Sequence, residues 1–222
     1  MPSATGDTGA EQPMRAWKFL DPGRIAPFGG HVWPAPAGNT PGAWIEPPGG
    51  VFACRLADLP WWIRPELWEV ELAGPVRALP TQVGAPRGRL LRRVVVWDEA
   101  AVRAYGVACA ERARDSLVQA FLREGREEQA DALRATRSPL ELYRVAQGLT
   151  VGAKTPASDA VGYLAASAVR AAQGEGAAAA LHAGDAIVVA SGEPEAFDGE
   201  RKWQAAWIAN RCALSVEPVL AV

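Results

Sequence analysis

Histidine, lysine and paired cysteine are scarce in this chain, and so are the motifs that announce catalysis. Its 222 residues include two histidines, His31 and His182, and three lysines, Lys18, Lys154 and Lys202. The histidines lie far apart with no HxH, HxxxH or ExxH spacing, so no metal centre is expected. GxxxxGK[ST] and GxGxxG are absent, which excludes the common phosphate and dinucleotide loops. No GxSxG nucleophile elbow occurs. No cofactor is expected. The three cysteines, Cys54, Cys109 and Cys212, are odd in number and form no CxxC pair. That argues against a disulfide framework and for a reduced, cytoplasmic setting. No apolar run approaches the roughly 20 residues of a membrane span. The Ala-rich stretch 177–190 is interrupted by His182, Gly184 and Asp185. Residues 1–13 lack a charged start leading into an apolar run, so no secretory signal is expected and they read as a disordered leader.

Net charge is −2, which gives no global field toward nucleic acid or anionic lipid. Neither partner is expected. The arginine clusters at Arg87, Arg89, Arg92 and Arg93, and at Arg112 and Arg114, are balanced by nearby acids and read as solvated faces.

What the chain has in quantity is tryptophan, nine in all. Seven fall in the first half: Trp17, Trp33, Trp44, Trp61, Trp62, Trp68 and Trp97. Residues 15–20 alternate as a first strand would. Residues 21–50 are dense in Pro and Gly and cannot hold long elements. Phe28, Trp33 and Trp44 are expected to be buried there, making a packed loop that covers something. A short strand is expected at 51–54 and a short helix or turn at 56–63, broken at Pro60. Leu67–Leu72 is a clear strand, with Trp68, Val70 and Leu72 on one face and Leu67, Glu69 and Glu71 on the other. Residues 89–97 read as another strand, rich in β-branched side chains.

Asp98 then has the character of a helix N-cap. Apolar positions at three- and four-residue spacing predict a helix from Glu99 to Arg123. Helices are also expected at 126–135, 138–147, 157–173 and 195–213. Ser138-Pro139 with Glu141 marks one of the N-termini. Residues 176–190 are ambiguous between helix and strand. The expected fold is α+β: a small mixed or antiparallel sheet in a Trp- and Pro-rich half, residues 14–97, packed as one unit against an Ala-rich helical half, residues 98–222.

Gly50-Val51-Phe52-Ala53-Cys54, the strand Trp68-Glu69-Val70-Glu71-Leu72 and the opening Lys18-Phe19-Leu20 resemble an uncharacterised bacterial and phage family. Its members carry a G-x-H-A-C element followed by a W-E-V-E-L strand. The resemblance covers about residues 15–115 and implies membership without an activity. Phe52 stands where that family has His, so any chemistry of that His is lost or changed here. A second, fold-level likeness is to ADP-ribosyltransferase cores, whose acidic and basic site residues cannot be assigned in this chain.

Candidate chemistry is sparse. His31, beside Trp33 in the Pro/Gly segment, could serve as an acid or base; its alternative is an exposed loop histidine. Cys54 precedes Arg55, a neighbouring cation that favours a thiolate, and a Cys54–His31 pair is conceivable; the alternative is a small buried hydrophobe. Glu69 and Glu71 project from one strand face about 7 Å apart and could do acid/base work, or pair with Arg92 or Arg93 across the sheet. Trp33, Trp44, Trp62 and Trp68 are candidate walls of an apolar pocket, with Arg55 as a polar contact. The leading expectation is a protein that binds an apolar small molecule, or acts on one by positioning it for cyclisation or isomerisation. An interaction module with Trp61 or Trp62 as anchor is the alternative.

Overall fold

Alternating small and large side chains start the fold. In the computed structural model, which describes residues 13–149 and 154–215, the segment Met14–Leu20 forms β1. The leader expected at 1–13 lies almost wholly outside the described residues. Strands β2 (Val51–Ala53), β3 (Glu66–Ala73), β4 (Arg77–Leu79), β5 (Gln82–Ala85) and β6 (Arg87–Arg93) follow. They make two three-stranded antiparallel sheets, in the orders β1-β3-β6 and β2-β5-β4. Helices α1 (Glu99–Arg123), α2 (Glu127–Arg134), α3 (Pro139–Leu149), α4 (Pro156–Gln173), α5 (Gly176–Ser191) and α6 (Ala196–Cys212) follow among the described residues. This is an α+β fold with its strands in the first half and its helices in the second.

The central strand β3 shows why both halves hold together. Trp68, Val70 and Leu72 face a core shared between the two sheets, with Leu20, Trp33, Val51, Val83 and Leu90. Leu67 turns the other way, into a second core. Phe19, Leu59, Ile63 and Trp97 meet Tyr105, Leu117, Phe121 and Leu164 of the helices in that second core. The sheets and helices therefore share buried apolar surface and have no linker between them.

Helix ends follow their side-chain chemistry. The Asp98 carboxylate accepts from the Ala101 amide at 2.8 Å, and the Thr155 hydroxyl accepts from the Ser158 amide at 3.2 Å. Residues 176–190, ambiguous in sequence, are helical and belong to α5. Gly106 of α1 lies against Gly176 and Ala179, so α1 and α5 cross closely and the Ala-rich segment is held as a helix by contact. The strand expected at 89–97 ends at Arg93. Its β-branched run leaves the sheet in a turn closed by the Trp97 amide on the Val94 carbonyl, with Val95 and Val96 exposed.

Arg201 of α6 ties the last helix to the 3-10 helix Leu56–Trp61 of the first half. Its guanidinium donates to the Pro60 carbonyl and to Gln204, and lies over the rings of Trp61 and Phe197. Beside it Glu200, fully enclosed, accepts from Arg112 and Gln204. Burial raises the Glu200 carboxyl above the usual carboxylate range, against the pull of Arg112.

Candidate functional site

The two sheets are joined at one corner. Trp17 of β1 and Cys54, just past β2, exchange backbone hydrogen bonds of 2.9 and 2.6 Å. This bridge brings Lys18 beside the short strand β2. Above it, the Pro/Gly segment folds back on itself and the 3-10 helix ends in two indoles. Together they leave a cavity of about 780 Å³. Its volume is in the range of small-molecule sites.

Three tryptophans line the cavity: Trp33, Trp61 and Trp62. Trp33 is almost fully buried, and its N–H finds no acceptor. Trp62 is fixed by its own N–H, which donates to the Thr81 carbonyl at 2.7 Å. Pro27, Pro47 and Pro48 stiffen the rim. Phe28 stands on the loop tip, edge-on to Trp62 at 6.0 Å, with Arg64 over its ring. The sequence predicted Phe28 to be buried. Instead it is 78% exposed, because the tip projects beyond the sheets and meets only the rim of the cavity.

The loop carrying Phe28 is anchored at its base by Glu66. That carboxylate accepts from the amides of Gly23 and Arg24 and from the Trp68 indole N–H, at 3.1, 3.3 and 2.9 Å. Arg24 holds a left-handed backbone, φ 64°, and donates from its side chain to the Trp33 carbonyl at 2.9 Å. Further backbone bonds from Ala26 to His31 and from Gly30 to Ala26 close the tip. A Pro/Gly-rich stretch thus becomes a fixed rim.

The expected site residues divide. His31, Cys54, Trp33 and Trp62 line the cavity. The His31 ring stacks on Trp33 at 5.9 Å, and its buried Nε2 has no hydrogen-bond partner. Glu69 and Glu71 do not reach the cavity. They lie on the opposite face of β3, where Glu69 pairs with Arg15 and Arg92 and Glu71 with Arg89. Strand alternation dictates this, since Trp68 and Val70 take the inter-sheet side. Trp68 packs in the inter-sheet core rather than against the cavity. Trp44, expected to be buried, is half-buried and spread beneath Arg87 and Arg89. Arg55 turns away to Asp58 and to the carbonyls of Leu79 and Pro80. Cys109 and Cys212 are buried in the helical core, and burial pushes the Cys212 thiol up to about 11.

Sequence reasoning missed Lys18. It lies in β1 between the buried Ala16 and Leu20, on the inward face, and that position was the available signal. Its amine donates to the Phe52 carbonyl at 2.6 Å and sits 5.4 Å from the centre of the Trp33 ring. No salt bridge to Lys18 occurs among the described residues. Burial lowers its pKa from 10.5 to about 8, with Cys54 pulling the other way. The residue keeps some accessible surface, as a cavity-lining side chain does.

Holding that ammonium against its pKa costs about 3 kcal/mol at neutral pH, and the Phe52 hydrogen bond returns about 1 kcal/mol. Lys18→Met is therefore expected to stabilise the protein by about 1–2 kcal/mol at pH 7, read by urea denaturation. From about pH 8 to 10.5 the unfolded chain holds a proton that the folded Lys18 has released. Wild-type stability therefore gains from Lys18 as pH rises through that window, and the advantage of the variant shrinks.

No helix among the described residues is long and apolar enough to cross a membrane, and no three of their His, Cys, Asp and Glu side chains converge on a metal site. In comparisons with known proteins, no family model, no curated protein and no solved structure matches this chain.

Proposed function

We propose that this protein binds an apolar small molecule in the cavity at the corner where its two sheets join, in a reduced, cytoplasmic compartment. The observation that carries the reading is the hollow itself: about 780 Å³ walled by three indoles and three prolines, in a chain that elsewhere packs its large rings against one another. An apolar guest would exchange water for aromatic surface at about 25 cal/mol per Å² removed from solvent. The rim needs little ordering on binding, because Glu66 and the loop's backbone bonds already fix it. If the guest is also transformed, the wall would supply shape and orientation, and His31 and Cys54, which line the cavity, would assist by proton transfer.

Two other readings find less support. An interaction module anchored on Trp61 or Trp62 would draw on the 44% exposure of Trp61, but Arg201 and Phe197 already pack on the Trp61 ring and Trp62 is tied to the Thr81 carbonyl. ADP-ribosyl transfer would call for a carboxylate in the cavity, and none lines it among the described residues.

The test uses N-phenyl-1-naphthylamine, a neutral apolar fluorophore. Saturable binding near one equivalent, with energy transfer from tryptophan, is expected for the wild type. Trp62→Ala should weaken it at least fivefold while circular dichroism stays unchanged. An absence of saturable binding overturns the proposal.

A further inference from the structure

The cavity's polar groups are one-sided. Its lining includes Lys18, Arg64, His31, Gln82 and the indole of Trp33, and no aspartate or glutamate. The Lys18 ammonium has three protons to donate. The Phe52 carbonyl takes one of them. The Trp33 N–H is buried without an acceptor, and Nε2 of His31 is buried without a hydrogen-bond partner. A half-buried cation with no carboxylate beside it, close to an unused N–H, is a costly arrangement for an empty site. Both costs fall when a group of opposite charge and acceptor character enters.

We infer that the ligand is an amphiphilic carboxylate: an aromatic or aliphatic body along Trp61 and Trp62, with its carboxylate on Lys18. This rests on the binding reading above and names the class of molecule. The geometry separates the two ends of such a guest. The Lys18 amine lies at the joined corner of the sheets, where Phe52 and Trp33 meet it. Trp62, Phe28 and the prolines form the apolar rim. Arg64 is partly occupied by Asp21 and by the Phe28 ring, which leaves Lys18 as the principal charge for the head group. A charge-assisted hydrogen bond against these apolar walls is stronger than a neutral one, so a carboxylate should be preferred over its uncharged isostere.

Three fluorescent probes of one shape test this: pyrenebutyrate, its primary amide and pyrenebutylamine, titrated by energy transfer from tryptophan at pH 7. The expected result is that the carboxylate binds at least tenfold tighter than the amide, and the amine weakest. In Lys18→Met the carboxylate should lose that preference while the amide keeps its affinity. Lys18→Arg, which retains the charge, should keep a preference for the carboxylate. If the amide or amine binds as tightly as the carboxylate in the wild type, the cavity reading stands and the carboxylate assignment falls. Retention of the full preference in Lys18→Met likewise overturns the role of Lys18. If neither N-phenyl-1-naphthylamine nor any pyrene probe binds, the cavity reading fails and takes this inference with it.

Discussion

Trp33→Ala is expected to destabilise the protein by about 3–5 kcal/mol, the usual cost of removing a buried large aromatic side chain. The ring is 1% exposed and belongs to the core between the two sheets. It also fastens its own segment, since the Trp33 amide donates to the Arg24 carbonyl and the Arg24 side chain donates to the Trp33 carbonyl. On the other strand side, a Cβ on Gly88 would lie 3.4 Å from the indole, so the ring is seated against backbone there. Once the indole is gone, the inter-sheet core and the cavity wall fail together. Trp33→Phe is the control. It keeps most of the apolar surface and discards an N–H that has no acceptor, so its cost should stay near 1 kcal/mol. Equilibrium denaturation of the two variants separates volume from polarity. Equal losses in both would show that the indole N–H matters in the empty protein.

Gly176→Ala should lower stability by about 2–3 kcal/mol, although alanine is the better helix former by about 1 kcal/mol. The reason is the close crossing of α1 and α5. A Cβ at position 176 would stand 2.5 Å from the Val102 carbonyl oxygen and 3.0 Å from a Val102 methyl. A carbonyl inside a helix cannot swing aside, so the two helices would have to part. Gly162→Ala offers the same substitution without the clash. Nothing lies within 4 Å of its added methyl, and the position is exposed on α4. That variant should gain about 0.5–1 kcal/mol. Opposite signs from one chemical change, measured as shifts in denaturation midpoint, would confirm that contact between helices decides the outcome. A gain at both positions would mean that α1 and α5 do not approach as described.

The helical half was largely readable because its punctuation is local. Asp98 and Ser138-Pro139 are chemical start signals that act within one turn, and the helices begin there, whereas the Thr155-Pro156 start of α4 went unread. The strands Met14–Leu20 and Glu66–Ala73 were readable from alternation. The β4–β5 hairpin was not, since Arg77–Leu79 and Gln82–Ala85 hold a single β-branched residue and their sheet depends on pairing with β2. Residues 94–97 misled in the opposite way: a β-branched run promises a strand, but strand exists only where a neighbour is there to pair. The tryptophans and prolines of the cavity stand out in the sequence, and Trp33 and Trp62 are among the residues that line it. Glu69 and Glu71 were drawn to it by chemistry alone, whereas strand parity sends them to Arg15, Arg89 and Arg92. Lys18 escaped notice because a single lysine in a strand looks like surface, and only its place between two buried neighbours says otherwise.

The reach of Arg201 gives the final helix a stake in a chamber it never borders. None of the helices α1–α6 contributes a residue to the described lining. Yet one guanidinium from α6 grips the Pro60 carbonyl and lies on the Trp61 ring, the strut on which that wall is mounted. The contour offered to a guest is thus set in part by the far end of the chain, and damage to that end would be felt at the threshold before any lining residue is touched.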